Sequence, residues 1–95
     1  MLIEFSAPLW LWQGKGAWHF ITLPEAESHL IRLAVPRHGW GSVRVNASIG
    51  SSSWMTSIFP DTRRNAYLLP VKAEIRRVQS LSAGVSVDVR LKLDC

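Results

Sequence analysis

The chain of 95 residues holds one cysteine, Cys95, at its last position. A single thiol closes no intrachain disulfide and, without further ligands, builds no zinc site. Long apolar runs are also missing, since no uncharged stretch reaches the roughly 20 residues that a membrane-spanning helix needs. The opening residues carry Glu4 and no Lys or Arg, unlike the basic head of a secretory signal, so the expectation is a soluble cytoplasmic protein with no membrane partner. Histidine is scarce: His19, His29 and His38 fall in a strand, a helix and a loop at no metal-ligand spacing. The acids stand singly, on outward strand positions or in turns, with no paired-carboxylate arrangement for acid–base work. These absences argue against an enzyme and against a resident metal or cofactor.

What is present describes one globular domain. Apolar residues make up 47% and charged residues 19%, and the length suits a single core spanning 1–95. The formal charge is +4, carried mostly from Asp61 onward. A basic chain invites nucleic acid, because neutralising phosphates drives that association. Glu4, Asp88 and Asp94 nevertheless interrupt any basic strand face.

Alternation dominates the pattern. In "LIEFSAPLWLW" Ile3, Phe5, Ala7, Leu9 and Leu11 share one face, and Pro8 places this strand at a sheet edge or at a bulge. "QGKG" supplies a turn, and "AWHFITL" returns as the second strand of a hairpin. "PEAESHLIRLAV" is a helix opened by Pro24, with Ala26, Leu30, Leu33 and Ala34 on one face. "SVRVNASI" turns Val43, Val45, Ala47 and Ile49 inward. "WMTSIF" is apolar on both faces, as for a strand covered on both sides or closing a barrel, and "AYLLPV" is a further strand. "KAEIRRVQSLSAG" is one helical stretch with Val71, Ile75 and Val78 on a common face. "VSVDVRLKLD" closes the chain with Val85, Val87, Val89, Leu91 and Leu93 inward. The order is β-β-α-β-β-β-α-β, mainly β with two short helices, which favours a small barrel or strongly curled sheet.

Gly14-Lys15-Gly16 has the residues of a phosphate loop without its context. A strand, not a helix, follows it, and the helix N-terminus that binds anions is missing. The five tryptophans divide into two readings. In one, Trp18 and Trp54 fill the barrel while Trp10 and Trp12 brace the hairpin. In the other, Trp10, Trp12 and Trp40 stand exposed and stack on bases or a ligand ring. Trp40, between glycines and close to Arg37 and His38, is the clearest candidate for surface presentation. Lys72 and Arg76 fall at i, i+4, where like charges repel unless an anion lies between them. They form either a solvated helix face with Glu74 and Arg77, or an anion site completed by Arg63, Arg64 or the hydroxyls of Thr56 and Ser57.

The stretches "WHFITLP", "GWGSVRVNASIG", "WMTSIFPD", "YLLPVKAEIRR" and "LSAG" with an alternating strand behind it resemble a bacterial family, domain of unknown function 1905. The resemblance runs along nearly the whole chain and implies a small double-split β-barrel, similar in architecture to the DNA-binding modules of AbrB-like regulators. Family members often place Asp after the Gly that precedes the last strand, where this chain has Val85. Some relatives continue into a second segment linked by name to bacteriocin protection, so this chain is expected to be the domain alone. The matched motifs bring together Trp54, Thr56, Ser57, Lys72 and Arg76, the expected site for a small anionic or aromatic ligand. Nucleic-acid binding, with surface contacts from Trp40, Arg37, Arg63 and Arg64, and a homodimer joined through strand edges are the alternatives.

Overall fold

The computed structural model describes residues 1–35 and 41–94. Its elements follow the order expected from the alternation: β1 (Leu2–Leu11), β2 (His19–Thr22), α1 (Glu25–Ala34), β3 (Val43–Ile49), β4 (Ser52–Asp61), β5 (Ala66–Pro70), α2 (Ala73–Val78) and β6 (Ser86–Leu93). The six strands close into a barrel in the order β1-β2-β5-β4-β3-β6, antiparallel at every pairing. No helix among the described residues is long and apolar enough to cross a membrane.

Closure depends on β1, which serves two neighbours. Leu2 to Pro8 pair with Lys92 to Ser86 of β6, and Leu9 to Leu11 pair with Ile21 to His19 of β2. Pro8 is the last residue in register with β6 and stands just before pairing with β2 begins. The Leu9 N–H still donates to the Val85 carbonyl at 3.0 Å, so by alternation the missing N–H of Pro8 would point to the other side, where no strand pairs with it, as expected of a proline at an edge position.

The inward positions form one core in which Leu9, Ile21, Ala47, Ile58, Leu69 and Leu91 are sealed from solvent. Two residues expected among them lie outside it. Leu11 is at the exposed end of β1, and Val85 precedes β6 and is exposed.

Of the two readings of β4, closing a barrel holds: Trp54 and Ile58 face the core, whereas Met55 and Phe59 face solvent. Both helices differ from expectation. α1 buries a different face, for Ala26, Leu30 and Ala34 are exposed and Leu33 is 72% exposed, while Ser28 and Ile31 are buried. Hydrogen bonds set that rotation. Ser28 Oγ accepts the Tyr67 N–H at 3.1 Å and donates to the Leu23 carbonyl at 3.4 Å, while the Leu23 N–H donates to the Tyr67 carbonyl at 2.9 Å. A serine thus continues the β2–β5 ladder where β2 ends, which draws its side of the helix inward. Finally, α2 ends at Val78, which is exposed although Val71 and Ile75 are buried. Ser80 adopts φ 55°, the Leu81 N–H donates to the Arg76 carbonyl at 2.8 Å, and the Ser80 N–H donates to the Arg77 carbonyl at 3.3 Å. This is a Schellman stop, and the half-buried Leu81 supplies its hydrophobic contact with the core.

Ser28→Ala leaves the buried Tyr67 N–H without its acceptor. Urea unfolding of this variant is expected to show a loss of about 1–3 kcal/mol. An unchanged midpoint would show that the ladder, and not Ser28, orients α1.

Candidate functional site

The β4–β5 pairing is short, joining only Phe59 to Asp61 with Leu68 to Ala66. Before Phe59, β4 runs on beside β3, while β5 continues beside β2 as far as Pro70. The two strands therefore diverge, and an open cleft of about 450 Å³ lies between them. Trp54 and Thr56 of β4 line one side, Val71, Lys72 and Arg76 line the other, and Trp18 and His19 complete it at the β2 end.

α2 is held in place over this opening. Gln79 Nε2 donates to Ser52 Oγ at 2.9 Å and to Ser51 Oγ at 3.2 Å, which ties the helix end to the β3–β4 turn. Gly50, at φ 59°, permits this approach, because a Cβ there would collide with the Gln79 amide. At the other end the Val71 N–H donates to the His19 carbonyl at 3.0 Å. Arg76 is fixed within this frame, its Nε donating to the Val71 carbonyl at 3.1 Å. That bond uses one donor and leaves the two terminal amino groups, which meet no carboxylate among the described residues. Lys72 stands 3.7 Å from Glu74, and both are well exposed, so the pair is weak and easily exchanged. A fork-shaped cation, a mobile one, a hydroxyl and two indoles thus border one space.

A second open cleft, of about 430 Å³, shares Trp18 and Phe59 with the first. It lies on the outer face of the barrel, and strand register explains its composition. Trp10 stands opposite Phe20 across β1–β2, and Phe59 stands opposite Leu68 across β4–β5. The Trp10 and Phe20 rings are 5.3 Å apart, and Trp10 Nε1 donates to Thr22 Oγ1 at 2.9 Å. Trp18 continues the series, nearly parallel to Phe20 at 6.0 Å. The Arg64 guanidinium lies 5.2 Å from the Trp10 ring centre and is paired with Asp61. Burial alone would raise the Asp61 carboxyl, but the Arg64 hydrogen bond and charge, with the backbone N–H groups of Arg64 and Arg63, outweigh it and hold the group below the ordinary 3.8.

The Gly-Lys-Gly turn belongs to this surface. A Cβ on Gly14 would collide with the Trp12 indole, and one on Gly16, at φ 82°, would come within 3.3 Å of Trp18. The glycines seat two aromatic rings. Trp18 is therefore not a core residue, as one reading of the tryptophans had it, but is 55% exposed, and Trp12 is 44% exposed.

Of the five residues expected at a ligand site, Trp54, Thr56, Lys72 and Arg76 line the first cleft. Ser57 does not line it, being out of phase with Trp54 and Thr56 along β4 and opposite Arg44 of β3. Arg63 and Arg64 line the second cleft, so they do not complete the Lys72/Arg76 pair. Trp40 and Arg37 fall outside the described residues. Trp18, His19, Met55 and Phe59 were missed, although alternation about Ile21 and Ile58 turns Trp18 and Phe59 outward. His19 Nδ1 lies 2.9 Å from the Ala17 carbonyl. Among the described residues no hydroxyl or carboxylate is hydrogen-bonded to it, and no group of three His, Cys, Asp or Glu could hold a metal ion.

Residues 5–91 match the family described as Domain of unknown function (DUF1905). The chain belongs to that family. The DUF1905 match takes in every strand that borders the two clefts, together with α2. No curated protein matches the chain.

Because Asp61 ionises more readily when folded, its contribution to stability is complete well above pH 3.8 and is lost as the pH falls through and below that value. Asp61→Asn is expected to melt below the parent chain at neutral pH, with the gap closing on acidification. A gap constant from pH 7 down to about 2 would overturn the role of this charge.

Proposed function

We propose that the barrel is a non-catalytic binding module that holds a small planar anion in the cleft between β4 and α2. The observation that carries this reading is Arg76. Its Nε is committed to the Val71 carbonyl, and the rest of its guanidinium borders the cleft beside Trp54, Thr56 and Lys72. A guanidinium fixed through one nitrogen keeps its orientation, which lowers the entropy lost on pairing with a carboxylate or phosphate. The indoles of Trp54 and Trp18 supply apolar area for a ring attached to that anionic group, and Thr56 supplies a neutral hydrogen-bond partner. A volume of about 450 Å³ falls within the range of small-molecule sites.

The site favours binding over reaction. His19 is the imidazole at the cleft, and its ring faces a carbonyl, with no hydroxyl or thiol hydrogen-bonded to it among the described residues. The setting proposed is a bacterial cytoplasm, where phosphorylated and carboxylated aromatic metabolites are abundant.

Thermal-shift and tryptophan-fluorescence screening of nucleotides, aromatic carboxylates and inorganic anions is expected to yield a stabilising compound. Arg76→Ala should abolish its shift and Arg76→Lys should retain part of it. Binding that survives Arg76→Ala would refute the site.

A further inference from the structure

The two clefts are not separate features. Trp18 and Phe59 border both, and each cleft combines aromatic surface with a cation that has no acidic partner among the described residues: Arg76 in the first and Arg63 in the second. Their volumes are nearly equal, about 450 and 430 Å³. A repeat of this kind, ring and cation followed by ring and cation, matches a polymer whose units each carry a ring and a negative charge. We infer that the clefts form one track for single-stranded nucleic acid, with bases stacking on Trp18, Phe59 and Trp12 and phosphates meeting Arg76 and Lys72 at one end and Arg63 at the other. This assignment rests on the proposed anion site and names the class of ligand it takes.

The aromatic geometry favours bases over other apolar groups. Trp10, Phe20 and Trp18 form a series that becomes more exposed outward, and the last two rings lie within 8° of parallel. Trp18 ends the series and is held at its edge by Gly16, so an incoming base extends an existing stack on a ring already in position. Charge argues against a second copy of this chain on the same surface. A two-fold interface would place Arg63, Lys72 and Arg76 against a surface carrying the same cations. Asp61 and Glu74, the acids beside the track, are already paired with Arg64 and Lys72. A duplex is disfavoured because its bases are stacked on one another and its aromatic faces are closed.

The test compares adenosine monophosphate, a mixed-sequence single-stranded hexadeoxynucleotide and the corresponding duplex, titrated onto the full chain by tryptophan fluorescence and by anisotropy of labelled strands. The single strand is expected to bind at least about tenfold more tightly than the mononucleotide. Its affinity should fall with salt at a slope of about −0.7 per phosphate neutralised. Trp12→Ala and Arg63→Ala should each weaken the single strand roughly 5- to 100-fold and leave the mononucleotide unaffected, whereas Arg76→Ala should weaken both. Unaltered circular dichroism and melting of these surface variants would show that folding is intact. If the mononucleotide binds through Arg76 and the single strand gains nothing, the track is refuted while the anion cleft stands. If aromatic carboxylates bind and no nucleotide does, the ligand class is wrong and the cleft again survives. Equal affinity for the duplex would also overturn the inference, and failure of every anion to bind would refute both readings.

Discussion

Closure of the barrel through β1 is the constraint from which the rest of the structure follows. A single ten-residue strand pairs with β6 along its first part and with β2 at its end, and so joins the two sides of the barrel. Pro8 is the one residue of β1 with no N–H to donate, and its neighbour Leu9 still donates to the Val85 carbonyl on the β6 side. By alternation the missing donor of Pro8 would point away from β6, so the β6 ladder is left intact and the gap falls just outside the β2 pairing that begins at Leu9. Once β1 bridges the two, the alternation of each remaining strand determines what is inside. Ile3, Leu9, Ile21, Val45, Ile58, Leu69 and Leu91 share one interior.

The same closure produces the clefts. A small barrel whose strands differ in length cannot keep every neighbour paired throughout, and β4, with ten residues, meets β5, with five, over three positions only. Where they part, the interior faces of Trp54 and Thr56 become reachable from outside, and the chain leaving β5 crosses the opening as α2. The positions of Lys72 and Arg76 are consequences of that crossing. Lys72 caps the start of the element that spans the opening and Arg76 lies in its last turn, and the Gln79 amide on the β3–β4 turn limits how far it can swing. The cleft and its lining therefore have one cause, the early end of the β4–β5 ladder.

Much of this was legible from residue pattern. Strand order, the inward set of β3 and β6, the hairpin at Gln13–Gly16 and the grouping of Trp54, Thr56, Lys72 and Arg76 all follow from alternation, turn residues and family motifs. The failures have specific causes. α1 was rotated wrongly because hydrophobicity ranks Leu30 and Leu33 above Ser28, whereas the fold ranks residues by whether they satisfy the end of the β2–β5 ladder. A serine that closes a buried hydrogen-bond chain is invisible to an apolar-face count. The apolar Met55 and Phe59 left open whether β4 is covered on both sides or closes a barrel, and parity with Trp54 and Ile58 leaves them no inward direction. One reading of the tryptophans placed Trp18 in the core. Its parity with Phe20, opposite to that of Ile21 and Leu23, places it outside.

The exposed aromatics change the meaning of the Gly-Lys-Gly turn. As a phosphate loop it lacks a helix, and as a bare hairpin turn it would need a glycine only at Gly16, whose φ is positive. Gly14 has no positive φ, and its requirement is spatial: the Trp12 ring occupies the place of its Cβ. A turn that gives up side chains at two positions loses backbone entropy on folding. Together with Trp10 and Phe20, it holds two large rings at the surface, where they gain less burial than they would in the core. Structural bracing accounts for Trp10, which is hydrogen-bonded through Nε1 and covered by Arg64. It does not account for Trp12 and Trp18, which leave about half of their surfaces open beside cations that lack acidic partners among the described residues. Apolar area kept in water next to unpaired positive charge is what the proposed ring-bearing anion would cover, gaining burial and pairing at once.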